Sequence, residues 1–251
     1  MTSADDSLDL HGSVALVTGG SRGIGLAAAR GLGRLGCTVV LVGRDPVAAA
    51  AAAESLRAED IDAVGEACDV ADPADVERLA ARLGPLASVD TLVLSAGVMS
   101  VRTAKTLRTT PEEWRKERRT NPAGARDGMH ACVPGMVERR SGRVIAVSAC
   151  LGRFTGPGLA GGLAPYRVSK TAVNALVKNM AAELQSGRRG VLVDAMCPNH
   201  CRTDMGGADA PRSAEEGADT IVWLATRSAT PQDDGTYATG LLWEDRQVVP
   251  W

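Results

Sequence analysis

The sequence VALVTGGSRGIGLAAA, residues 14–29, joins a short β-branched run to a helix-favouring run through a cluster of glycines. Residues 14–18 are typical of a buried strand, and residues 26–29 favour a helix. Glycines allow the backbone to approach a pyrophosphate closely, and the start of a helix presents unpaired N–H groups to it. The stretch therefore predicts a strand, turn and helix that bind a dinucleotide. The alternative is a tight glycine turn with no ligand.

The alternation of strand and helix patterns continues along the chain. Strands separated by helices are typical of βαβ units and a parallel sheet. We therefore expect a single α/β domain over residues 1–251, Rossmann-like and doubly wound, with a mainly parallel β-sheet flanked by helices. A flexible amino-terminal arm is expected at residues 1–10, and a substrate lid loop at about 198–213. The predicted strands are 14–18, 37–42, 91–94, 144–148 and 191–196, and the predicted helices are 46–57 and 171–184.

The charge balance argues against nucleic acid and anionic membranes as partners. The 251 residues carry 28 basic and 30 acidic side chains, a formal net charge of -2. This leaves no positive surplus of the kind on which such binding relies. No apolar run approaches the roughly 20 residues of a membrane span, and the acidic start of the chain differs from a secretory signal. We therefore expect a cytoplasmic protein that acts on a small molecule.

The six cysteines are scattered without a CxxC pair. This pattern indicates reduced thiols rather than a disulfide framework or a metal site. Cys197 and Cys201 are four residues apart, but Pro198 lies between them and disfavours a common helical face. We therefore expect no bound metal.

An arginine follows the second predicted strand, where an NAD-binding unit usually has an acid for the ribose 2′-hydroxyl. Arg44 suits a 2′-phosphate instead, and Arg22 in the glycine loop adds a second cation. The neighbouring Asp45 is better used as the cap of an alanine-rich helix that starts at Pro46. The pattern favours NADP(H) over NAD(H). The alternative is that both arginines are ordinary solvated side chains.

A tyrosine and a lysine stand four residues apart at the start of a predicted helix. This spacing puts Tyr166 and Lys170 on one helical face, where an ammonium favours the phenolate and lowers the phenol pKa. Such a phenol can exchange a proton near neutral pH. The whole chain has two tyrosines and four lysines, so an accidental match at this spacing is improbable.

Together these motifs resemble those of the short-chain dehydrogenase/reductase family, and the likeness extends over nearly the whole chain. The loop 18–25 is similar to the family's TGxxxGxG element, and Tyr166 with Lys170 is similar to its YxxxK element. Asn121 matches the asparagine with which the family holds a proton-relay water. Three further motifs belong to the likeness: Asp69-Val70 as the adenine-contacting pair, Ser95-Ala96-Gly97 in place of Asn-Ala-Gly, and Cys197-Pro198-Asn199 beside the nicotinamide. Residues 202–207 and the ending Pro250-Trp251 look most like those of the carbonyl-reductase-like branch.

The resemblance implies an NADP(H)-dependent oxidoreductase that reduces a ketone or an aldehyde. A hydride would move between nicotinamide C4 and the substrate carbon, and Tyr166 would give the oxygen its proton as general acid. Lys170 would bind the nicotinamide ribose and lower the phenol pKa, and Asn121 would complete a water relay. The resemblance also suggests a homo-oligomer that packs through the helix 171–184. The implied cofactor-binding residues are Gly19, Ser21, Arg22, Gly23, Ile24, Gly25, Arg44, Asp69, Val70, Ser95, Ala96, Gly97, Tyr166, Lys170, Pro198, Asn199, Cys201 and Thr203.

The serine that the family uses in catalysis is missing. The family usually ends the strand here with Ser-Ser, whereas this chain has Ser148-Ala149-Cys150, so Ala149 occupies the catalytic position. Ser148 remains a candidate fourth catalytic residue, although strict alternation turns its side chain to the opposite face. Thr155 and His200 are further candidate donors. A second function stays open on the same fold, either a non-redox cyclase or rearrangement enzyme or an NADPH-binding sensor.

Overall fold

The apolar, β-branched runs of the sequence form an eight-stranded sheet in the computed structural model, which describes residues 10–99 and 105–251. The strands are β1 (Val14–Thr18), β2 (Thr38–Gly43), β3 (Ala63–Ala67), β4 (Thr91–Leu94), β5 (Gly142–Val147), β6 (Val191–Met196), β7 (Leu242–Glu244) and β8 (Gln247–Val249). Their spatial order is β3-β2-β1-β4-β5-β6-β7-β8. Only the last pair is antiparallel among these described strands. The predicted α/β fold with a mainly parallel sheet is confirmed.

Helices cover both faces of this sheet. The α-helices of the described residues are α1 (Gly23–Gly33), α2 (Pro46–Arg57), α3 (Pro73–Arg82), α4 (Pro111–Arg118), α5 (Gly124–Arg139), α6 (Ala164–Glu183) and α7 (Ala214–Thr226). Asp45 caps α2 as predicted, because its Oδ1 accepts a hydrogen bond of 2.9 Å from the Val47 amide. No helix in the described ranges has the combined length and apolar character that a bilayer crossing requires.

The core has two halves, one on each face of the sheet. Successive residues of a strand point to opposite faces, so Leu16 of β1 packs in one apolar cluster and Val17 in the other. The first cluster is covered by α3, α5 and α6, and the second by α1, α2 and α7. Burial on both faces explains why these strands are continuous apolar runs rather than alternating ones.

Most predicted element bounds agree with the structure, and one does not. The elements predicted at 46–57, 91–94 and 191–196 have those bounds, and the strands predicted at 37–42 and 144–148 are shifted by one or two residues. The helix predicted from residue 171 begins at Ala164 instead. It follows Leu163, which has a left-handed φ of 54° and no side-chain cap, so its start carries none of the usual capping residues. The predicted arm at 1–10 lies outside the described residues except for Leu10.

The strand order places a crevice at one edge of the sheet. From β1 the chain builds outward through β2 to β3, and it then returns to add β4 on the other side of β1. The connections after β1 and β4 therefore diverge, which opens a space beyond the carboxyl ends of these strands. The glycine loop after β1 and the loops after β4, β5 and β6 all meet there.

A buried ion pair connects the end of α7 to β6. Arg227 lies 3.1 Å from Asp194, and both side chains are more than nine-tenths buried. The guanidinium also lies 5.1 Å from the ring centroid of Trp243 and 5.8 Å from that of Trp223. The second carboxylate oxygen of Asp194 accepts from the Leu241 amide at 3.1 Å. Removal of one partner leaves the other charge buried without compensation.

We expect Arg227→Ala to lower the free energy of unfolding by about 3–5 kcal/mol, the usual effect of breaking a buried pair. Urea denaturation followed by circular dichroism measures it. Arg34→Ala is the matched control, because Arg34 forms an exposed pair with Glu59, and exposed pairs contribute about 0–1 kcal/mol. Equal effects of the two substitutions would contradict the structural role of the buried pair.

Candidate active site

The crevice at the carboxyl ends of the strands is a cleft of about 1070 Å³. Its size is at the upper end of small-molecule sites, which span roughly 300–1,000 Å³. The cleft brings together residues from the loops that follow β1, β2, β3, β4, β5 and β6. Of the predicted site residues, those that line it are Gly19, Ser21, Arg22, Gly23, Ile24, Gly25, Arg44, Val70, Ser95, Ala96, Gly97, Ser148, Tyr166, Lys170, Pro198, Asn199, Cys201 and Thr203.

The glycine loop lies so close to the neighbouring backbone that side chains do not fit. Gly19 has a φ of 67°, and a Cβ there would lie 2.9 Å from the Cα of Ala96. A Cβ on Gly25 would lie 2.3 Å from the carbonyl oxygen of Gly19. No side chain caps the start of α1, so its first N–H groups are directed at the cleft without a side-chain acceptor. These features form an anion-binding cradle that fits a pyrophosphate.

Two arginines lie beside this cradle. Arg44 is exposed directly after β2, and Arg22 is exposed at the start of α1. Arg22 forms an ion pair of 2.6 Å with Asp204, which belongs to the predicted lid segment 198–213. Asp45 is committed to the cap of α2. The region therefore presents the guanidinium groups of Arg44 and Arg22.

Asp69 and Val70, the pair expected to contact the adenine, differ in their position relative to the cleft. Val70 is buried and lines the cleft, whereas Asp69 is exposed and does not line it. The Asp69 carboxylate accepts a hydrogen bond of 3.0 Å from the Ala71 amide. Its contribution in this conformation is to the turn after β3.

Tyr166 and Lys170 lie on one face in the first two turns of α6 and are both buried, with 7% and 5% exposure. The Nζ of Lys170 donates a hydrogen bond of 2.8 Å to the carbonyl oxygen of Val147 and lies 5.7 Å from the centroid of the Tyr166 ring. Burial lowers the pKa of Lys170 to about 8. At neutral pH the ammonium form therefore predominates.

The prediction that the Tyr166 phenol has a lowered pKa is wrong for this conformation. Burial raises the pKa of Tyr166, and the neighbouring ionisable groups of Cys197, Cys150 and Glu117 raise it further. Removing the phenolate from water outweighs the attraction of the neighbouring ammonium. The phenol therefore carries its proton at neutral pH.

Asn121 lies behind the cleft wall in a short π-helical turn, Arg119–Ala123. Its Oδ1 accepts from the Val98 amide at 2.8 Å, and its Nδ2 donates to the Val98 carbonyl at 3.0 Å and to Ser169 Oγ at 2.8 Å. A Cβ on Gly97 would lie 3.5 Å from both Asn121 Oδ1 and Lys170 Nζ. Asn121 thus connects the end of β4 to α6, and its oxygen lies near the ammonium.

The alternative donors are directed away from the centre of the cleft. The Ser148 hydroxyl bonds to Asn174 Oδ1 on α6, as the alternation of side chains predicts. Thr155 Oγ1 lies 3.5 Å from the Trp251 carbonyl oxygen and does not line the cleft. His200 does line it, but its Nε2 lies 2.8 Å from the carbonyl oxygen of Gly206 within the same segment. Ala149 presents no polar atom at its position in the wall.

Sequence reasoning missed Glu117 and the contact between Cys150 and Cys197. Glu117 is 1% exposed on α4, one helical turn before Asn121, and its charge opposes the lowering of the Lys170 pKa. Cys150 and Cys197 lie next to each other, although 47 positions separate them in the sequence. Glu117 could have been found from its spacing, because an acid four residues before Asn121 lies on the same face of a helix. The cysteine pair required the register of β5 against β6, which the sequence does not reveal.

Comparisons with known proteins agree with this geometry. The family model described as short chain dehydrogenase matches residues 13–214. The 3-oxoacyl-(acyl-carrier-protein) reductase FabG of Escherichia coli (strain K12) is 30% identical over 249 residues, which cover 93% of this chain and 95% of that protein. The glycine betaine reductase ATRR of Emericella nidulans is 36% identical over 206 residues, which are 82% of this chain but only 16% of that protein.

A solved structure also matches over nearly the whole chain. It is the crystal structure of a gluconate 5-dehydrogenase from Burkholderia cenocepacia J2315 in complex with NADP and tartrate. The TM-score is 0.80 at 27% sequence identity, and the match covers 95% of each chain. The predicted family resemblance is therefore confirmed.

Proposed function

Because the chain belongs to the short-chain dehydrogenase/reductase family of carbonyl-reducing oxidoreductases, we propose that it is an NADPH-dependent reductase of ketones or aldehydes with Tyr166 as general acid. The observation that carries the proposal is the convergence of Tyr166, Lys170 and Asn121 beside the glycine cradle. The substrate class is a small or medium hydrophobic carbonyl compound, since the wall beside Tyr166 includes Leu151.

NADPH fits the groups that surround the cleft. The family uses NAD(P), and when bound the cofactor supplies the hydride. The cradle at residues 19–25 would hold the pyrophosphate, and Arg44 and Arg22 would hold the 2′-phosphate by charge-assisted hydrogen bonds. For Arg22 this requires release of Asp204, which also frees the segment 198–213 to act as a lid. The resemblance further favours a homo-oligomer.

The chain's own residues would supply the proton. The Tyr166 phenol is protonated at neutral pH, which suits donation to a carbonyl oxygen as negative charge develops on it. Lys170 would stabilise the phenolate that remains and is held in place by the Val147 carbonyl. Asn121 Oδ1 and Lys170 Nζ both lie 3.5 Å from the place of a Cβ on Gly97, and in this proposal a water held near them would return the proton from solvent.

One observation supports the alternative of an NADPH-binding sensor or a non-redox enzyme, namely Ala149 at the position of the family's serine. The family's serine donates to the substrate oxygen, and loss of such a donor costs about 2.7–4 kcal/mol, or 10²–10³ in rate. Ser148 remains the candidate fourth catalytic residue, yet its hydroxyl is engaged with Asn174. A protein that binds NADPH without reducing carbonyls, as a sensor or a non-redox rearrangement enzyme, would tolerate this loss.

We expect Tyr166→Phe to lower the turnover of carbonyl reduction by about 10²–10⁴-fold, the usual contribution of a general acid. NADPH consumption with a panel of ketones and aldehydes measures the turnover, and fluorescence titration checks that NADPH still binds. Tyr237→Phe is the matched control, since Tyr237 does not line the cleft. Full activity of the Tyr166 variant would remove the assignment.

We expect Arg44→Ala to weaken NADPH binding by about ten- to a hundredfold, because a hydrogen bond to a charged group contributes about 1.5–3 kcal/mol. Calorimetric titration with NADPH measures the change. Titration of the same variant with NADH is the internal control, because NADH lacks the 2′-phosphate. If both affinities fall together, or neither falls, Arg44 does not select the phosphorylated cofactor.

We expect Ala149→Ser to raise the turnover of carbonyl reduction by about 10²–10³-fold, because it restores a donor to the substrate oxygen. The same carbonyl panel measures it. The double variant Ala149→Ser/Tyr166→Phe should show no such gain. A silent native protein beside an active Ala149 variant would favour the sensing or non-redox function.

A further inference from the structure

Two cysteines meet beside the active-site cleft, at the carboxyl ends of β5 and β6. Val147 and Met196 are paired in register at the ends of these strands, and Cys150 and Cys197 follow them closely. The Sγ of Cys197 accepts a hydrogen bond of 2.9 Å from the amide of Cys150 and lies 3.4 Å from the amide of Asn199. All six cysteines are free thiols in this structure.

The two thiols differ in their access to solvent. Cys150 is half-buried and lines the cleft, whereas Cys197 is 1% exposed and lies behind it. A small reagent that enters the cleft therefore meets Cys150 first and finds Cys197 directly behind it. This is the arrangement of an attacking thiol with a resolving partner.

The environment also favours ionisation at Cys150. The neighbouring Cys197 side chain lowers the pKa of Cys150 to about 7, and the Arg153 charge acts in the same direction. The neighbouring Cys150 side chain and burial raise the pKa of Cys197. Burial also raises the pKa values of Cys37, Cys68, Cys132 and Cys201. Since the thiolate is the nucleophile, Cys150 is the reactive thiol of this chain.

We propose that Cys150 and Cys197 form a peroxide-reactive dithiol site, in which a small hydroperoxide entering the cleft oxidises the pair to a disulfide. This inference is independent of the proposed reductase activity, because it uses neither NADPH nor Tyr166.

The reaction balances in two steps. The Cys150 thiolate attacks one oxygen of the hydroperoxide, the S–O bond forms, and the O–O bond breaks. The departing oxide takes a proton and leaves as an alcohol or water, and Cys150 becomes a sulfenic acid. Cys197 then loses its proton and attacks the Cys150 sulfur, so that the S–S bond forms and the S–O bond breaks with release of water. One hydroperoxide is reduced for each dithiol oxidised.

The contact between Cys197 Sγ and the Cys150 amide suits this bond. A disulfide spans a Cα separation of about 4.4–6.8 Å, and contact between Cys197 Sγ and the Cys150 amide is compatible with that separation. The bond would join the segment that contains Ala149 to the segment that contains Asn199, and both line the cleft. Because these segments flank Tyr166, we expect the oxidised protein to lose most of its turnover.

The test treats the full-length protein with hydrogen peroxide at pH 7. We expect the thiols that react with Ellman's reagent under denaturing conditions to fall from six to four, starting from the six free cysteines of the chain. Peptide mapping should find a Cys150–Cys197 cross-link, and dithiothreitol should reverse it. The absence of this cross-link in the oxidised native protein would overturn the proposal.

Matched variants separate this chemistry from general oxidation. Cys150→Ser should slow thiol loss about tenfold, which reflects the larger thiolate fraction of a thiol with a pKa of about 7. Cys197→Ser should accumulate a sulfenic acid on Cys150 that dimedone labels. Cys132→Ser is the control and should oxidise like the native protein, because burial raises the pKa of Cys132 to about 11. Equal rates in the Cys150 and Cys132 variants would contradict the assignment.

The Tyr166→Phe variant distinguishes the two proposals. It should form the disulfide at the native rate even though its reductase activity is lost. A native protein that forms the cross-link but reduces no carbonyl would retain the dithiol site and remove only the proposed function. If Cys150→Ser lowers the melting temperature, Cys150→Ala replaces it in the comparison.

Discussion

The geometry of the site depends on one buried contact, the hydrogen bond from Lys170 Nζ to the carbonyl oxygen of Val147. An ammonium ion removed from water loses several kcal/mol of solvation unless acceptors replace the water. Val147 ends β5 and Lys170 lies in the second turn of α6, so the contact fixes the helix against the edge of the sheet. Tyr166 lies one turn earlier on the same face, and the position of its phenol therefore follows from this contact.

Burial shifts the two pKa values of this pair in opposite directions. It lowers the pKa of Lys170 to about 8 and raises that of Tyr166, because each side chain loses solvation of its charged form. The two shifts have the same result at neutral pH, since both groups are protonated. A protonated phenol beside an ammonium can give up a proton, and the ammonium stabilises the phenolate left behind. In the proposed reaction this favours carbonyl reduction over alcohol oxidation.

The sequence predicted the elements whose signals are local. The strands at 91–94 and 191–196 are continuous apolar runs, and the helix at 46–57 has an aspartate cap and a first-turn proline. The range 171–184 begins seven residues after the start of α6 at Ala164, because Leu163 before it adopts a left-handed conformation and supplies no capping side chain. Features that depend on distant segments were also missed. The raised pKa of Tyr166 depends on packing between α4, α6 and the loops after β5 and β6.

The polar groups of Ser148-Ala149-Cys150, which follows β5, bond to neighbouring elements. Ser148 turns towards α6 and bonds to Asn174, whereas the Cys150 amide donates to the Cys197 sulfur at the end of β6. Only the methyl group of Ala149 is left at the position that would face a substrate oxygen. The polar atoms at this edge thus support neighbouring elements rather than the reacting carbonyl. In the proposed reaction the substrate oxygen therefore depends more strongly on the Tyr166 phenol as its proton donor. The proposed disulfide between Cys150 and Cys197 would form beside this phenol and would therefore affect the main proton donor of the site.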